Sequence, residues 1–466
     1  MSNSRTYEID MCNGPILRKM MVFALPLMCS GVLQLLFNAA DVIVVGRFAG
    51  DNSMAAVGSN AALINLLTNL FIGLSVGANV LAARCFGAKR ERALRATVHT
   101  SMLLALCSGV VLMAAGALGA RQILIWMQTP AAVLELAAVY LRIFFLGMPA
   151  MMVYNFGAAL LRAKGDTRRP LYFLMLAGVV NVALNLLLVI QFRLDVAGVA
   201  IATVVSQCIS AVLVTVCLMR ERDAFRLELS ALRIHKDQLV GILRVGLPAG
   251  VQGVIFSLSN VVIQSSINSL GEIVMAGSAA AANIEGFVYM AMNAVYQATM
   301  SFTSQNAGAG RLDRVNRILL TGQGCVTATG VVLGVGAWMV GRQLLGVYTD
   351  DPAVVEAGFV RLGIVCMPYF ICGMMDTMVG ALRGIGYSVM PMIVSLMGAC
   401  VLRLVWIATI FQIPQCHTPE CVYWSYPVSW AITLLVHVFC YLWAKQRTDR
   451  RFAAAKEKQN PAQSSK

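Results

Sequence analysis

The chain has 466 residues, of which 59% are hydrophobic and only 12% are charged, and its mean hydropathy is +0.74. Soluble domains usually contain about 25% charged residues, so this composition excludes an ordinary soluble protein and indicates a polytopic membrane protein. The net charge of +14 is distributed over the segments between apolar spans, which argues against a nucleic-acid-binding surface.

Apolar stretches long enough to cross a bilayer, about 20 residues each, recur along the whole chain. They are longer than the roughly 10 alternating residues of a membrane barrel strand, so helices are indicated. We predict an all-α integral membrane protein with twelve transmembrane helices. The predicted spans are 20–46, 54–83, 96–119, 135–160, 171–191, 197–219, 242–268, 277–306, 318–340, 355–381, 387–411 and 424–444.

The segment before the first span does not resemble a cleavable signal peptide. It is polar, contains Glu8 and Asp10, and lacks a short apolar core followed by small residues. We therefore expect the first span to act as the targeting signal. Lys and Arg gather before span 1, after most even-numbered spans and in the tail. By the positive-inside rule this pattern predicts a multi-pass protein of the plasma membrane with both termini in the cytoplasm.

The first span contains one acidic residue, Asp41, and no Lys or Arg between Met20 and Gly46 neutralises it. An ionisable residue inside a span is costly and marks a functional site by default. Glu285 in span 8 and Asp376 in span 10 are two further carboxylates, and neither has a cation within one helical turn. The alternative for all three is protonation or a hydrogen bond at a helix contact.

Asp41 lies in the outer half of span 1. We therefore expect its partners to lie at the same depth of the membrane in other spans. Span 5 carries Asn181 and Asn185 four residues apart, and Thr203 lies near the outer end of span 6. One carboxylate, two amide oxygens and a hydroxyl predict a site for an alkali cation such as Na⁺ or for a proton. The alternative is that the three polar residues are hydrogen-bonding contacts between helices.

The chain also repeats itself with an offset of about 221 residues. Matched pairs include Leu25-Pro26 with Leu247-Pro248, Met148-Pro149 with Met367-Pro368, and Gly165 with Gly386. Six spans in each half give the repeats the same orientation, so we predict two pseudo-symmetric six-helix lobes with a substrate cavity between them. The predicted divisions are a cytoplasmic N-terminus 1–19, an N-terminal lobe 20–219, a cytoplasmic linker 220–241, a C-terminal lobe 242–444 and a cytoplasmic tail 445–466.

Other polar residues in the spans provide further candidates. Glu285 and Asp376 are predicted to form a second cation site or to act as counter-charges for a cationic substrate. Arg403 in span 11 is the best candidate for a buried cation, with snorkelling to the interface as the alternative. The predicted lining of the substrate cavity is Gln34, Asn38, Asn155, Asn260 and Met290.

Several kinds of site are missing from the sequence. No phosphate loop of the G-x-x-x-x-G-K-[ST] type occurs, so we expect an ion gradient or a partner to supply the energy for transport. The 13 cysteines and 4 histidines show no metal-ligand spacing, and no organic cofactor is expected. Cys416 and Cys421 share the last outer loop and form either a disulfide or free thiols.

Four segments follow one another in a specific order across the two halves: NAADVIVVG at 38–46, LRAKGDTRRP at 161–170, QNAGAG at 305–310 and GALRGIG at 380–386. With them, the chain from about Ile16 to Arg447 resembles the multidrug and toxic compound extrusion (MATE) transporters. The resemblance implies a twelve-helix antiporter whose two lobes form a V. It also implies export of amphipathic, often cationic organic compounds or drugs in exchange for Na⁺ or H⁺.

Carried over to this chain, the family's amino-lobe cation site falls on the four residues selected above by depth, Asp41, Asn181, Asn185 and Thr203. The carboxy-lobe acidic site falls on Asp376, with Glu285 as an additional acid in some members. Members with aspartate at the Asn185 position are often linked to proton coupling, so asparagine there favours sodium. We also expect contact with membrane lipids, a functional monomer and no nucleic-acid partner.

The main alternative is a flippase for lipid-linked substrates on a related two-lobed fold. Such a protein should favour a cationic cavity that holds phosphates, and the carboxylates in the spans argue against it. A channel would need a repeated filter and a membrane enzyme a cluster of catalytic residues, and the sequence contains neither.

Overall fold

The computed structural model describes residues 7–127 and 129–459, which form helices joined by short connections, without a β-strand among them. Residues 1–6 of the predicted N-terminal segment and 460–466 of the predicted tail lie outside the described residues. The first helices are α1 (Ile16–Phe48), α2 (Asp51–Gly87), α3 (Glu91–Trp126), α4 (Ala131–Leu146), α5 (Met148–Lys164), α6 (Arg168–Asn185) and α7 (Asp195–Met219). The others are α8 (Lys236–Asn268), α9 (Glu272–Gly308), α10 (Leu312–Met339), α11 (Gly341–Gly346), α12 (Pro352–Arg361), α13 (Tyr369–Ile385), α14 (Val389–Ser395), α15 (Leu402–Ala408) and α16 (Pro419–Gln459).

Within these described ranges, ten helical segments are long and apolar enough to cross a membrane, and two bent pairs of helices pass the same test together. α4 and α5 form one pair, bent by 48°, and 352–366 with 369–385 form the other, bent by 43°. Proline lacks a backbone donor and its ring crowds the preceding turn, so Pro149 and Pro368 account for the two bends. Counting each pair as one span gives twelve, which confirms the predicted all-helical membrane fold.

The helix bounds repeat with the offset seen in the sequence. α1 and α8 each contain 33 residues, α2 and α9 each contain 37, and α5 and α13 each contain 17. The last two helices also end alike, because Gly165 (φ +110°) and Gly386 (φ +101°) both have positive φ and bond back to the final turn. Glycine adopts such a conformation without the steric cost that a Cβ would add.

The described residues divide into two compact units. The first lies within Met1–Ile9, Leu25–Phe86 and Arg90–Ser257, and the second within Asp10–Ala24, Gly87–Lys89 and Leu258–Lys466. Phe145 and Phe156 are fully buried in the core of the first unit. Tyr423 is fully buried in the second, where it packs in a cluster with Ile263 and Met375. Each unit therefore has an apolar core of its own.

Close helix contacts occur at matching positions of the repeat. A Cβ on Gly109 of α3 would overlap the backbone of Pro149, and a Cβ on Gly330 of α10 would lie 2.7 Å from the Cα of Phe370. Small residues allow helices in a membrane to approach each other closely, and van der Waals packing then holds them together. The two repeats thus share this packing contact as well as their helix lengths.

A cluster of ion pairs lies at the end of α5. Lys164 is buried, and its Nζ contacts the carboxylates of Glu8 at 2.6 Å and Asp223 at 2.8 Å and that of Glu221. The backbone N–H of Ile9 donates to the carbonyl oxygen of the glycine that follows Lys164. The cluster therefore joins the N-terminal segment and the connection after α7 to the end of α5.

Candidate functional site

The four residues of the predicted amino-terminal site lie together in the first unit. Asp41 is on α1, Asn181 and Asn185 are on α6, and Thr203 is on α7. The two asparagines share one face of α6 because a spacing of four residues is close to one helical turn. α6 and α7 pack against each other, which brings Thr203 to the same face.

Hydrogen bonds link the four side chains. Asn185 Nδ2 donates to Asp41 Oδ1 and, at 3.3 Å, to Asn181 Oδ1, while Asn181 Nδ2 donates to Thr203 Oγ1 at 3.4 Å. Thr203 Oγ1 lies 2.9 Å from the carbonyl oxygen of Val199 and 3.4 Å from Asp41 Oδ2. A hydroxyl has one hydrogen, so the shorter contact favours Val199. Asp41 Oδ2 is therefore poorly supplied with donors.

The site has more acceptors than donors. Asp41 is 8% exposed and Asn185 is fully buried, yet Asn185 Oδ1 has no hydrogen-bond partner among the described residues. Over the same residues, no Lys or Arg forms an ion pair with Asp41. A buried carboxylate without a counter-charge is costly, and hard oxygen ligands suit an alkali cation. The chemistry of these atoms fits a bound Na⁺ or a proton, and their role in coupling stays a prediction.

A π-helical segment, Leu186–Gln191, begins directly after Asn185. The N–H of Phe192 donates to the carbonyl oxygen of Leu187, five residues earlier, so the turn is wider than in an α-helix. Such segments often occur at functional sites. The sequence did not indicate this one, because a run of apolar residues is compatible with either type of helix.

Phe37 is a residue of the site that the sequence pattern did not indicate. Its ring packs on Gly178 of α6, where a Cβ would overlap it. Phe37 lies one helical turn before Asp41, and Gly178 lies one turn before Asn181, so the contact sets the distance between the two helices that carry the site. The signal in the sequence that could have indicated this contact is the small residue Gly178, one turn before the paired asparagines.

Glu285 has a different environment in the second unit. Arg361 of α12 binds its carboxylate in a two-pronged ion pair, with Nε to Oε1 and Nη2 to Oε2 both at 2.9 Å. The two side chains are only 6% and 7% exposed. Arg361 lies inside the predicted span 355–381, but the partners are 76 residues apart, so a search within one helical turn misses the pair. The predicted cation-binding role of Glu285 is not tested by this contact and stays a prediction.

Asp376 on α13 is half-buried, and the described part of the chain provides no ion pair for its carboxylate. Arg403 is buried rather than snorkelled, with its Nε 2.7 Å from Ser429 Oγ and its guanidinium 4.4 Å from the ring centre of Tyr426. Among the described residues, the second unit therefore contains three buried arginines, Arg361, Arg383 and Arg403, where the sequence indicated one.

The five predicted cavity residues differ in exposure. Gln34 and Asn38 on α1 and Asn260 on α8 are exposed. Asn155 is half-buried and donates to a backbone carbonyl one turn earlier, and Met290 on α9 is also half-buried. Their contact with a substrate stays a prediction.

The connection between α15 and α16 contains Cys416 and Cys421. Both are free thiols in the structure, which is one of the two predicted alternatives. Other contacts organise this connection. The rings of Phe411 and His417 stack with their centres 4.2 Å apart, and Trp406 Nε1 donates to the carbonyl oxygen of Cys421 at 3.0 Å.

Known proteins resemble this chain over most of its length. A family model described as MatE matches residues 26–187 and 248–409. The probable multidrug resistance protein YoeA of Bacillus subtilis (strain 168) is 28% identical over 447 residues, which cover 93% of this chain and 95% of YoeA. The probable multidrug resistance protein NorM of Thermotoga maritima is 27% identical over 395 residues, which cover 84% of this chain and 85% of NorM. In fold, the chain is similar to a multidrug resistance MATE family transporter solved in an outward-facing conformation, with a TM-score of 0.87, 20% identity, and coverage of 97% of this chain and 99% of that one.

Proposed function

Since the chain belongs to the MATE family of multi-pass membrane transporters, we propose that it is a secondary active efflux antiporter that exports amphipathic, often cationic organic compounds in exchange for Na⁺ or H⁺. A member of this family is a transporter and not an enzyme. The observation that carries the proposal is the buried carboxylate of Asp41, which has amide and hydroxyl neighbours and, among the described residues, no cationic partner.

In this proposal the coupling cation binds at Asp41, with oxygen atoms of Asn181, Asn185 and Thr203 as further ligands. Asn185 Oδ1 supports the assignment because it is a buried acceptor without a donor. For proton coupling, the proposed position of the proton is Asp41 Oδ2, because its hydrogen bond from Thr203 Oγ1 is long, at 3.4 Å. Asparagine at position 185 favours Na⁺ by the family resemblance, and direct measurement decides between the two ions.

Exchange follows from competition for one buried negative charge. A cation that binds at Asp41 neutralises the carboxylate, and a cationic substrate gains less from the site once that charge is neutralised. A ligand shifts a conformational equilibrium only by its difference in affinity for the two states, so coupling requires the ion and the substrate to prefer different states. Same-orientation repeats of six spans are typical of carriers that work by alternating access.

The proposal also includes the residues that line the substrate cavity. Gln34, Asn38 and Asn260 are exposed, and Asn155 and Met290 are half-buried. Asp376 is proposed as a second cation ligand or as a counter-charge. The organisation of the chain is proposed as well, with lobes 20–219 and 242–444 joined by a linker at 220–241, and with cytoplasmic termini in the plasma membrane, by the positive-inside rule.

The test is efflux of a fluorescent organic cation from proteoliposomes with a Na⁺ gradient and a proton gradient imposed separately. We expect one gradient to drive efflux, and the ionophore that dissipates it to stop efflux. Liposomes without protein measure leakage. Efflux under neither gradient would contradict the proposal, and movement of a labelled lipid-linked sugar in the same vesicles would then favour the flippase.

A further inference from the structure

We propose that Arg361 is a built-in counter-cation for Glu285, so that Glu285 positions helices and does not bind a transported ion. This inference depends on the proposed function, because it specifies which of its buried acids couple to the ion. It departs from the prediction that Glu285 belongs to a second cation site.

The contacts of Arg361 use its whole guanidinium group. Nε and Nη2 each donate to one oxygen of Glu285 at 2.9 Å, and Nη1 donates to Ser278 Oγ at 2.7 Å. The flat fork of arginine matches a carboxylate in this geometry, and two parallel charge-assisted hydrogen bonds result. Both oxygens of Glu285 therefore already have a cationic partner.

Aromatic rings hold the guanidinium in place independently of Glu285. Its central carbon lies 5.6 Å from the ring centre of Tyr423 and 5.8 Å from that of Tyr426. The face of an aromatic ring attracts a cation, and the attraction is stronger in a desolvated site than in water. Arg361 is thus stabilised as a cation at a position where it faces the carboxylate.

A free ion at Glu285 would compete with a charge that is tethered a few ångströms away. A tethered group acts at an effective concentration in the millimolar range or above without loss of translational freedom. The ion would also leave Arg361 buried without its partner, and an uncompensated buried charge is strongly unfavourable. Both effects favour the arginine over Na⁺ or a proton.

The pair is absent from the matching positions of the other repeat. With the offset of about 221 residues, α9 corresponds to α2 and α12 to α4, so Glu285 matches Ile64 and Arg361 matches Tyr140. Asp41 shows the opposite arrangement, because the described residues supply it with amide and hydroxyl groups and with no cation. The ion pair therefore distinguishes Glu285 from Asp41 and leaves Glu285 outside the coupling role.

A double-mutant cycle in proteoliposomes tests the proposal. The variants are Glu285→Gln, Arg361→Gln and the combination of both, with Arg342→Gln as the control for an exposed pair, since Arg342 and its partner Glu356 are 57% exposed. Thermal unfolding of the purified protein and the cation concentration at half-maximal efflux are measured for each.

We expect Arg361→Gln to lower the melting temperature and to reduce efflux at least about tenfold, because it leaves a buried carboxylate unpaired. Adding Glu285→Gln should recover most of both losses, and the half-saturating cation concentration of the double variant should stay within about twofold of the wild-type value. The control should change neither readout.

Two results would overturn the proposal. One is a double variant that is folded and yet needs at least about tenfold more cation for half-maximal efflux, because Glu285 would then be an ion ligand. The other is additive effects of the two substitutions on melting, because the residues would then not act as a pair. If Arg361→Gln fails to fold, Glu285→Gln and the double variant still give the cation dependence. Failure of the proposed function is separate, since wild-type protein would then show no gradient-driven efflux while the melting cycle could still show the pair.

Discussion

Replacing Asp41 with asparagine removes the charge of the candidate site and keeps its shape. Asn185 Nδ2 can still donate to Oδ1, and the new amide nitrogen faces Thr203 Oγ1, which lies 3.4 Å from the present Oδ2. Because every polar neighbour keeps a partner, we expect the free energy of unfolding to change by less than about 1 kcal/mol.

The effect on cation binding should be much larger. A unit charge about 4 Å from a cation contributes about 4 kcal/mol at an effective dielectric constant of about 20. Each 1.4 kcal/mol is a factor of about ten in affinity, so cation affinity should fall about a thousandfold. No practical gradient would then saturate the site.

The assay is efflux of a fluorescent organic cation from proteoliposomes, under the gradient that drives the wild-type protein. Asp41→Asn should abolish gradient-driven efflux while its melting temperature stays near the wild-type value. The matched control is Glu135→Gln, which removes an acid of the same unit that is 69% exposed and paired on the surface. Efflux by Asp41→Asn with an unchanged cation dependence would refute the reasoning.

Three further substitutions test the packing of the fold, each by thermal unfolding of the purified protein. Lys164→Gln should lower the free energy of unfolding by about 2 kcal/mol, which is less than the full loss for a buried ion because two of its carboxylate partners are partly exposed. The control Arg121→Gln, in an exposed pair, should lower it by less than about 1 kcal/mol. Equal losses would contradict the burial argument. Gly178→Ala should lower the free energy of unfolding by about 1–3 kcal/mol because its Cβ would overlap an aromatic ring of α1. The control Gly336→Ala, with open space around it, should be neutral or stabilising. If Gly178→Ala is as stable as Gly336→Ala, the helix contact is wrong. Gly165→Ala should cost about 1–2 kcal/mol because its φ is +110°, and an unchanged melting temperature would mean that the turn has another conformation.

The amino-terminal site shows how far sequence reasoning reaches. Asp41 was visible as an unpaired charge in an apolar span, and Asn181 and Asn185 were visible as a pair on one helix face. The expected depth of each residue in its span grouped them with Thr203, and in the structure each of the four is within hydrogen-bond distance of two of the others. Hydropathy and helical spacing are local properties of the chain, and they sufficed here because hydrogen bonds join these residues across three helices, α1, α6 and α7.

The sequence by itself determined the membrane class, the all-helical fold with up to twelve spans and the internal repeat, because these depend only on composition and on distances along the chain. Only the tertiary structure decided which acid has a cationic partner. Asp41 and Glu285 look alike in sequence, but α12 is rotated so that Arg361 meets Glu285, and no equivalent cation meets Asp41 among the described residues. The rotation of a helix about its axis depends on its packing against several neighbours, and that information is spread over residues far apart in the chain.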